Sequence, residues 1–165
     1  MRNSAIKPER FSAFTPGEDV GASPWLAIDQ QMISQFGEAT RDPDPMHIDP
    51  DWAKRNAPYG GTIAFGFLTV SLLTNLLHGA LKSAPTREPT TAGYFMNYGF
   101  DHLRLITPVP VGSRIRGHFR TLDIRENANG KHIVKFGCEI EIEGVDKPAL
   151  SAEWLAVWVM PDAGA

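Results

Sequence analysis

The sequence predicts an α+β chain in which one long helix packs against a curled antiparallel sheet. Three observations carry this expectation. From Gly60 to Leu81 no residue is charged, and the stretch reads as a helix that is apolar nearly all round, the mark of burial. From Gly93 onward the apolar period changes from helical to two. The last run, Ala149 to Met160, carries Trp154 and Trp158 on one face. Helices therefore come first and strands follow.

Residues 1–24 are punctuated by Pro, Gly and Ser and predict a loose lead-in to a single domain spanning 1–165. Asp29 is an N-cap for a helix over 30–40, whose apolar stripe is Met32, Ile33, Phe36 and Ala39. Pro43 ends this helix by Asp42. Asp49-Pro50 is a second start signal, a cap followed by proline at N1, for a short helix through Lys54. Gly60-Gly61 then break the chain before the long helix, placed at 62–82. Its length alone would suit a membrane span. Its polar residues, Thr62, Thr69, Ser71, Thr74, Asn75 and His78, and the strands that must wrap something favour burial in protein instead.

In the strands, Ile115, Gly117, Phe119 and Thr121 alternate with Arg114, Arg116, His118 and Arg120. After Asn-Ala-Asn-Gly (127–130), Val134, Phe136, Cys138, Ile140 and Ile142 alternate with Lys135, Gly137, Glu139, Glu141 and Glu143. A two-residue turn at Asn129-Gly130 would set Arg120 opposite Glu139, His118 opposite Glu141 and Arg116 opposite Glu143. The basic strand then belongs to a cross-strand charge ladder. A phosphate-binding stripe is the alternative. Cys138 falls on the apolar face, as a core residue.

Composition narrows the function. With 165 residues, 42% hydrophobic and 21% charged, the chain is an ordinary globular protein. A net charge of -3 gives no general attraction to nucleic acid or anionic membrane. One cysteine excludes an internal disulfide, and MRNSAIKPERFSAF lacks the apolar run of a secretion signal, so a cytoplasmic location is expected.

The chemistry is concentrated in Asp42-Pro-Asp-Pro-Met-His47. Pro43 and Pro45 fix their own φ and push Asp42 and Asp44 out of the helical region. A carboxylate and an imidazole are thus held close in a stiff loop, which is what proton-transfer chemistry requires. The plain alternative is a polar turn between two helices. A further alternative is a divalent cation held by Asp42, Asp44, His47 and Asp49, although the prolines limit their convergence and Asp49 is better used as a cap. His78, His102, His118 and His132 fit core, ladder or surface roles.

Ordered matches across the chain now become recognisable. They are Ser23-Pro-Trp25, Gln30 with Ile33 and Phe36, and Ala39-Thr40-x-Asp42. His47-x-Asp49, Gly60-Gly61-Thr62-Ile63-Ala64-x-Gly66 and Leu68-x-x-Ser71-Leu72 follow. Asn97-Tyr98-Gly99-Phe100 and Pro108-Val-Pro-Val-Gly112 complete the set. Over about residues 17–160 the chain resembles the MaoC-like hydratases, a branch of the hot-dog fold that includes (R)-specific enoyl-CoA hydratases, and within it the nodulation protein N type. The resemblance implies that Asp42 and His47 are the catalytic pair. It places Gly66 at the glycine whose N–H faces a thioester carbonyl, with Gly61, Ser71 and Asp44 around the substrate. It also makes the long helix the central helix of the fold. The implied substrate is an enoyl or 3-hydroxyacyl thioester of coenzyme A or acyl carrier protein, handled by a homodimer without metal or redox cofactor.

Two positions depart from the pattern. Asp44 stands where many members have Asn, and Phe65 where many have His. A hot-dog thioesterase is a competing expectation, weakened because residues 62–82 contain no acid. A binding or assembly subunit whose chemistry has eroded is another.

Overall fold

A computed structural model of the protein describes residues 14–82, 94–126 and 131–159. Two short strands come first, β1 (Asp19–Ala22) and β2 (Leu26–Ala27). Five helices follow: α1 (Gln30–Thr40), α2 (Pro45–Ile48), α3 (Pro50–Asn56), α4 (Gly66–Ser71) and α5 (Leu73–Ala80). Four long strands close the order, β3 (Tyr94–Leu105), β4 (Arg114–Glu126), β5 (His132–Ile142) and β6 (Leu150–Val159). They form one antiparallel sheet in the order β1-β4-β5-β6-β3, with β2 also pairing β4. The expected α+β architecture is what forms.

The two helix starts expected at Asp29 and Asp49, those of α1 and α3, obey the local rules. Asp29 accepts a hydrogen bond from the Met32 N–H, and Asp49 accepts one from the Trp52 N–H ahead of Pro50. The long helix differs from expectation. It begins at Gly66, four residues later than placed, and is interrupted at Leu72. Thr62 to Ala64 are extended instead, because the Ala64 N–H donates to Val109 and the Val111 N–H donates to Thr62. At Leu72 the backbone tightens (ψ -13), yet the Leu72 N–H still donates to Leu68 and the Leu76 N–H to Leu72. The two segments therefore continue one another. Among the described residues no helix is long and apolar enough to cross a membrane.

The stretch expected as a loose lead-in also needs correction. Asp19–Ala22 is β1, paired with β4, and the Ser23 hydroxyl accepts from the Gly117 N–H. β4 would otherwise expose a row of unpaired backbone groups, and β1 covers it. Phe14 is buried edge-on against Phe95 and Phe136. Residues 1–13 lie outside the described residues.

The strand register is shifted as well. Arg116 sits opposite Glu141, His118 opposite Glu139 and Arg120 opposite Gly137, two residues from the expected pairing. Glu126 pairs with His132, so the connection is longer than a two-residue turn, and a bulge between Thr121 and Asp123 adds a second step. The 127–130 turn itself lies outside the described residues. A shift of two preserves the faces. Arg116 therefore meets Glu141 at 2.6 Å in place of the expected Glu143, which pairs with Arg114 instead, and His118 reaches Glu141 diagonally at 2.7 Å. Arg116 and His118 hold the Glu141 carboxyl below its ordinary range. The basic strand is a charge ladder.

On the opposite face, α5 supplies Leu73, Leu76 and Leu77 to a core with Phe119, Phe136, Ile140, Leu150 and Trp154. Cys138 is buried there, and loss of hydration pushes its thiol up to about 12. With no thiolate at neutral pH, it should resist iodoacetamide in the folded protein and react only on unfolding. Mass spectrometry of the labelled chain checks this; rapid native labelling would contradict the burial.

Candidate active site

Three segments meet at the Asp42–His47 loop. The first is the end of α1. Arg41 adopts the left-handed conformation (φ 57), its N–H donates to Glu38, and the Asp42 N–H donates to Gly37 at 2.9 Å. This pair of bonds is a Schellman ending, and it fixes the backbone on which the Asp42 carboxylate is carried. The second is the short α2. Asp42 Oδ1 accepts from the Asp44 N–H at 3.2 Å, and Asp44 Oδ1 accepts from the Met46 N–H at 2.9 Å. Asp44 is thus the N-cap of the turn that carries His47. Asn caps as well as Asp, so the departure at this position keeps the local fold.

The third segment is 62–66. His47 Nδ1 lies 2.8 Å from the Ile63 carbonyl oxygen. A carbonyl only accepts, so Nδ1 carries the hydrogen and the neutral ring keeps its lone pair at Nε2. The imidazole packs against Phe65 with centroids 3.9 Å apart and the two rings tilted by 33°, and Phe65 in turn packs on Phe36. A phenyl ring can support the imidazole but cannot hydrogen-bond it. This is the physical content of the second departure.

Gly66 follows at once, as the first residue of α4. Phe65 provides no side-chain cap, so the first-turn amides have neither an intrahelical nor a side-chain acceptor. The space beside Gly66 is not open, however. A Cβ there would overlap Leu105 Cδ1. Leu105, at the end of β3, is half exposed. Gly61 has nothing within 4 Å of a would-be Cβ and lies outside this close packing. The exposed Ser71 hydroxyl donates back to the Phe67 carbonyl at 2.8 Å, with no bond to Asp42 or His47. Asp42 and His47 are not hydrogen-bonded to each other.

Gly37 is a site residue that spacing does not reveal. A Cβ there would lie 3.0 Å from the Asp42 carbonyl oxygen, 3.1 Å from Ile48 Cγ2 and 3.1 Å from Phe65 Cζ. Gly37→Ala should gain up to ~1 kcal/mol of helix propensity yet push the Asp42 loop and Phe65 outward. We expect a larger loss of activity than of melting temperature, measured side by side. Unchanged activity would contradict the tight fit.

Asp44 and Asp49 each commit Oδ1 to a cap, and His47 Nδ1 is bonded to Ile63. Among the described residues no group of three or more His, Cys, Asp or Glu side chains is gathered.

Comparison with known proteins places the chain in a family. The MaoC like domain matches residues 11–139. Nodulation protein N of Rhizobium meliloti (strain 1021) is 40% identical over 141 residues, 86% of this chain and 84% of that protein. The 3-hydroxyacyl-thioester dehydratase Z of Mycobacterium tuberculosis is 35% identical over 147 residues, 89% of this chain and 93% of the relative. The solved (R)-hydratase from A. caviae involved in PHA biosynthesis superposes with a TM-score of 0.64 at 23% identity, covering 89% of this chain and 100% of its own. That likeness is one of fold. The curled sheet around a central helix is the hot-dog fold, and the chain belongs to the MaoC-like dehydratase family.

Proposed function

We propose that this hydro-lyase adds water across the double bond of a trans-2-enoyl thioester to give an (R)-3-hydroxyacyl thioester, or runs the reverse dehydration, with Asp42 and His47 as its acid/base pair. One observation carries the reading: the Nδ1–H bond to Ile63 leaves His47 with a free Nε2, in the same proline-stiffened turn as Asp42. Hydration requires a proton taken from water, a proton delivered to the α-carbon, and charge stabilised on the thioester oxygen. Asp42 and His47 share the two transfers. The uncapped start of α4, at Gly66, offers amide donors and a positive dipole end to the oxygen. Gly61, Ser71 and Asp44 flank the substrate, and Asp44 also serves as a cap.

The carrier is coenzyme A or acyl carrier protein, and no metal or redox cofactor takes part. The protein acts in the cytoplasm as a homodimer. In support of the dimer, β3 is a 12-residue edge strand with Met96 and Tyr98 exposed, and Phe67 beside the site is 72% exposed.

The test follows the absorbance of the conjugated thioester with short trans-2-enoyl-CoA substrates. Loss of absorbance without thiol release, insensitive to chelator, is expected. Thiol release would favour a thioesterase, and inertness at every chain length would favour a binding subunit.

A further inference from the structure

We propose that Gln30 is a positioning residue for His47, acting through the backbone on both ends of the bond that orients the imidazole; the inference rests on the hydratase reading. Gln30 is the first residue of α1, remote in sequence from the other two segments of the site. Its Nε2 donates to the His47 carbonyl oxygen at 2.8 Å and also approaches Ser34 Oγ at 3.3 Å. Its Oε1 accepts from the Thr62 hydroxyl at 2.5 Å, and Thr62 is only 1% exposed. One carboxamide therefore ties residue 47 to residue 62. The imidazole Nδ1 of residue 47 in turn donates to the carbonyl of residue 63.

Gln30 thus closes a ring through Thr62, Ile63 and His47. The other direct backbone link between the two segments is the Ile63 N–H to the Met46 carbonyl, at a long 3.4 Å. Without the carboxamide, both ends of the Nδ1–Ile63 bond gain freedom. The ring would then sample orientations and tautomers in which Nε2 is not the free lone pair. A carboxamide carries a donor and an acceptor on one planar group that stays neutral at any pH, and Gln reaches further than Asn.

The test separates positioning from folding. Gln30→Met alone leaves the buried Thr62 hydroxyl without an acceptor, so it should lower the melting temperature. Gln30→Met combined with Thr62→Val removes that orphan and should recover most of the lost stability, the remainder being the His47 carbonyl left without its donor. The double variant should still turn over about ten- to a hundredfold more slowly, with KM unchanged, because the His47 carbonyl still lacks its donor. Nitrogen NMR should show one His47 tautomer, protonated at Nδ1, in the wild type and a mixture in the double variant. A double variant with wild-type kcat and a single tautomer would overturn the proposal, as would a rise in KM at constant kcat. Should the wild type turn over no enoyl thioester, the hydratase reading falls and the tautomer measurement alone decides on Gln30.

Discussion

Replacing His47 by Ala should slow hydration of a short trans-2-enoyl-CoA by about 10²–10⁴-fold, the usual loss when a general acid or base is removed. Asp42→Asn should do the same. Neither change should unfold the chain, for reasons particular to this loop. The Schellman bonds at the end of α1 are made by backbone groups of Arg41 and Asp42, and the carboxamide introduced by Asp42→Asn would keep an oxygen for the Asp44 N–H. The turn that carries His47 is capped by Asp44 and bonded through the main chain to Pro45. If the two groups act as a unit, the double variant should be little slower than either single one. Initial rates at saturating substrate, with melting temperatures measured on the same samples, give all four comparisons. A single variant that kept wild-type turnover would remove that residue from the chemistry.

Gly66→Ala should be nearly as damaging, by about 10²–10³-fold, if the Gly66 amide meets the thioester oxygen. The structure supplies a second cause for the same loss, because the new Cβ would overlap Leu105 Cδ1. Cδ1 is the end of a flexible, half-exposed side chain, so a rotamer change can relieve most of this strain, below the ~1–3 kcal/mol of a fully packed place. Leu105→Ala in the same chain separates the two causes. The clash disappears while the crowding of the amide remains. We therefore expect the Gly66→Ala, Leu105→Ala double variant to regain its melting temperature and stay slow. Recovery of rate together with stability would show that Gly66 serves Leu105 packing and not catalysis. The two sites are in contact, so additivity is not expected, and the interaction energy of the cycle is itself the result.

What the sequence made legible was governed by short-range rules. Asp29 and Asp49-Pro50 start helices because a cap acts within three residues, and both caps form. The strand faces were readable because a period of two survives any even shift. The register was not readable, since a bulge at 121–123 has no distinct residue signature and the pairing depends on the whole ladder. The true start of the central helix was hidden for a similar reason. Thr62, Ile63 and Ala64 have ordinary helical neighbours in sequence, but Val109 to Val111 claim their backbone groups in space. β1 was missed because its reason to be a strand is the open edge of β4, about a hundred residues away. The Asp42–His47 loop was visible as residues. What aims it, the Ile63 carbonyl, the Phe65 ring, the space over Gly37 and the Gln30 bridge, is made by segments distant in the chain.

Water added by this loop to an enoyl thioester must leave its oxygen in the product. The most direct measurement is mass spectrometry of the acyl product after incubation with a short trans-2-enoyl-CoA in water enriched in the heavy oxygen isotope. One heavy oxygen is expected in the acyl chain of an intact (R)-3-hydroxyacyl-CoA, formed by the wild type and lost in His47→Ala. Heavy oxygen in a free carboxylate with released thiol, or label incorporation that persists at full rate in His47→Ala, would contradict it.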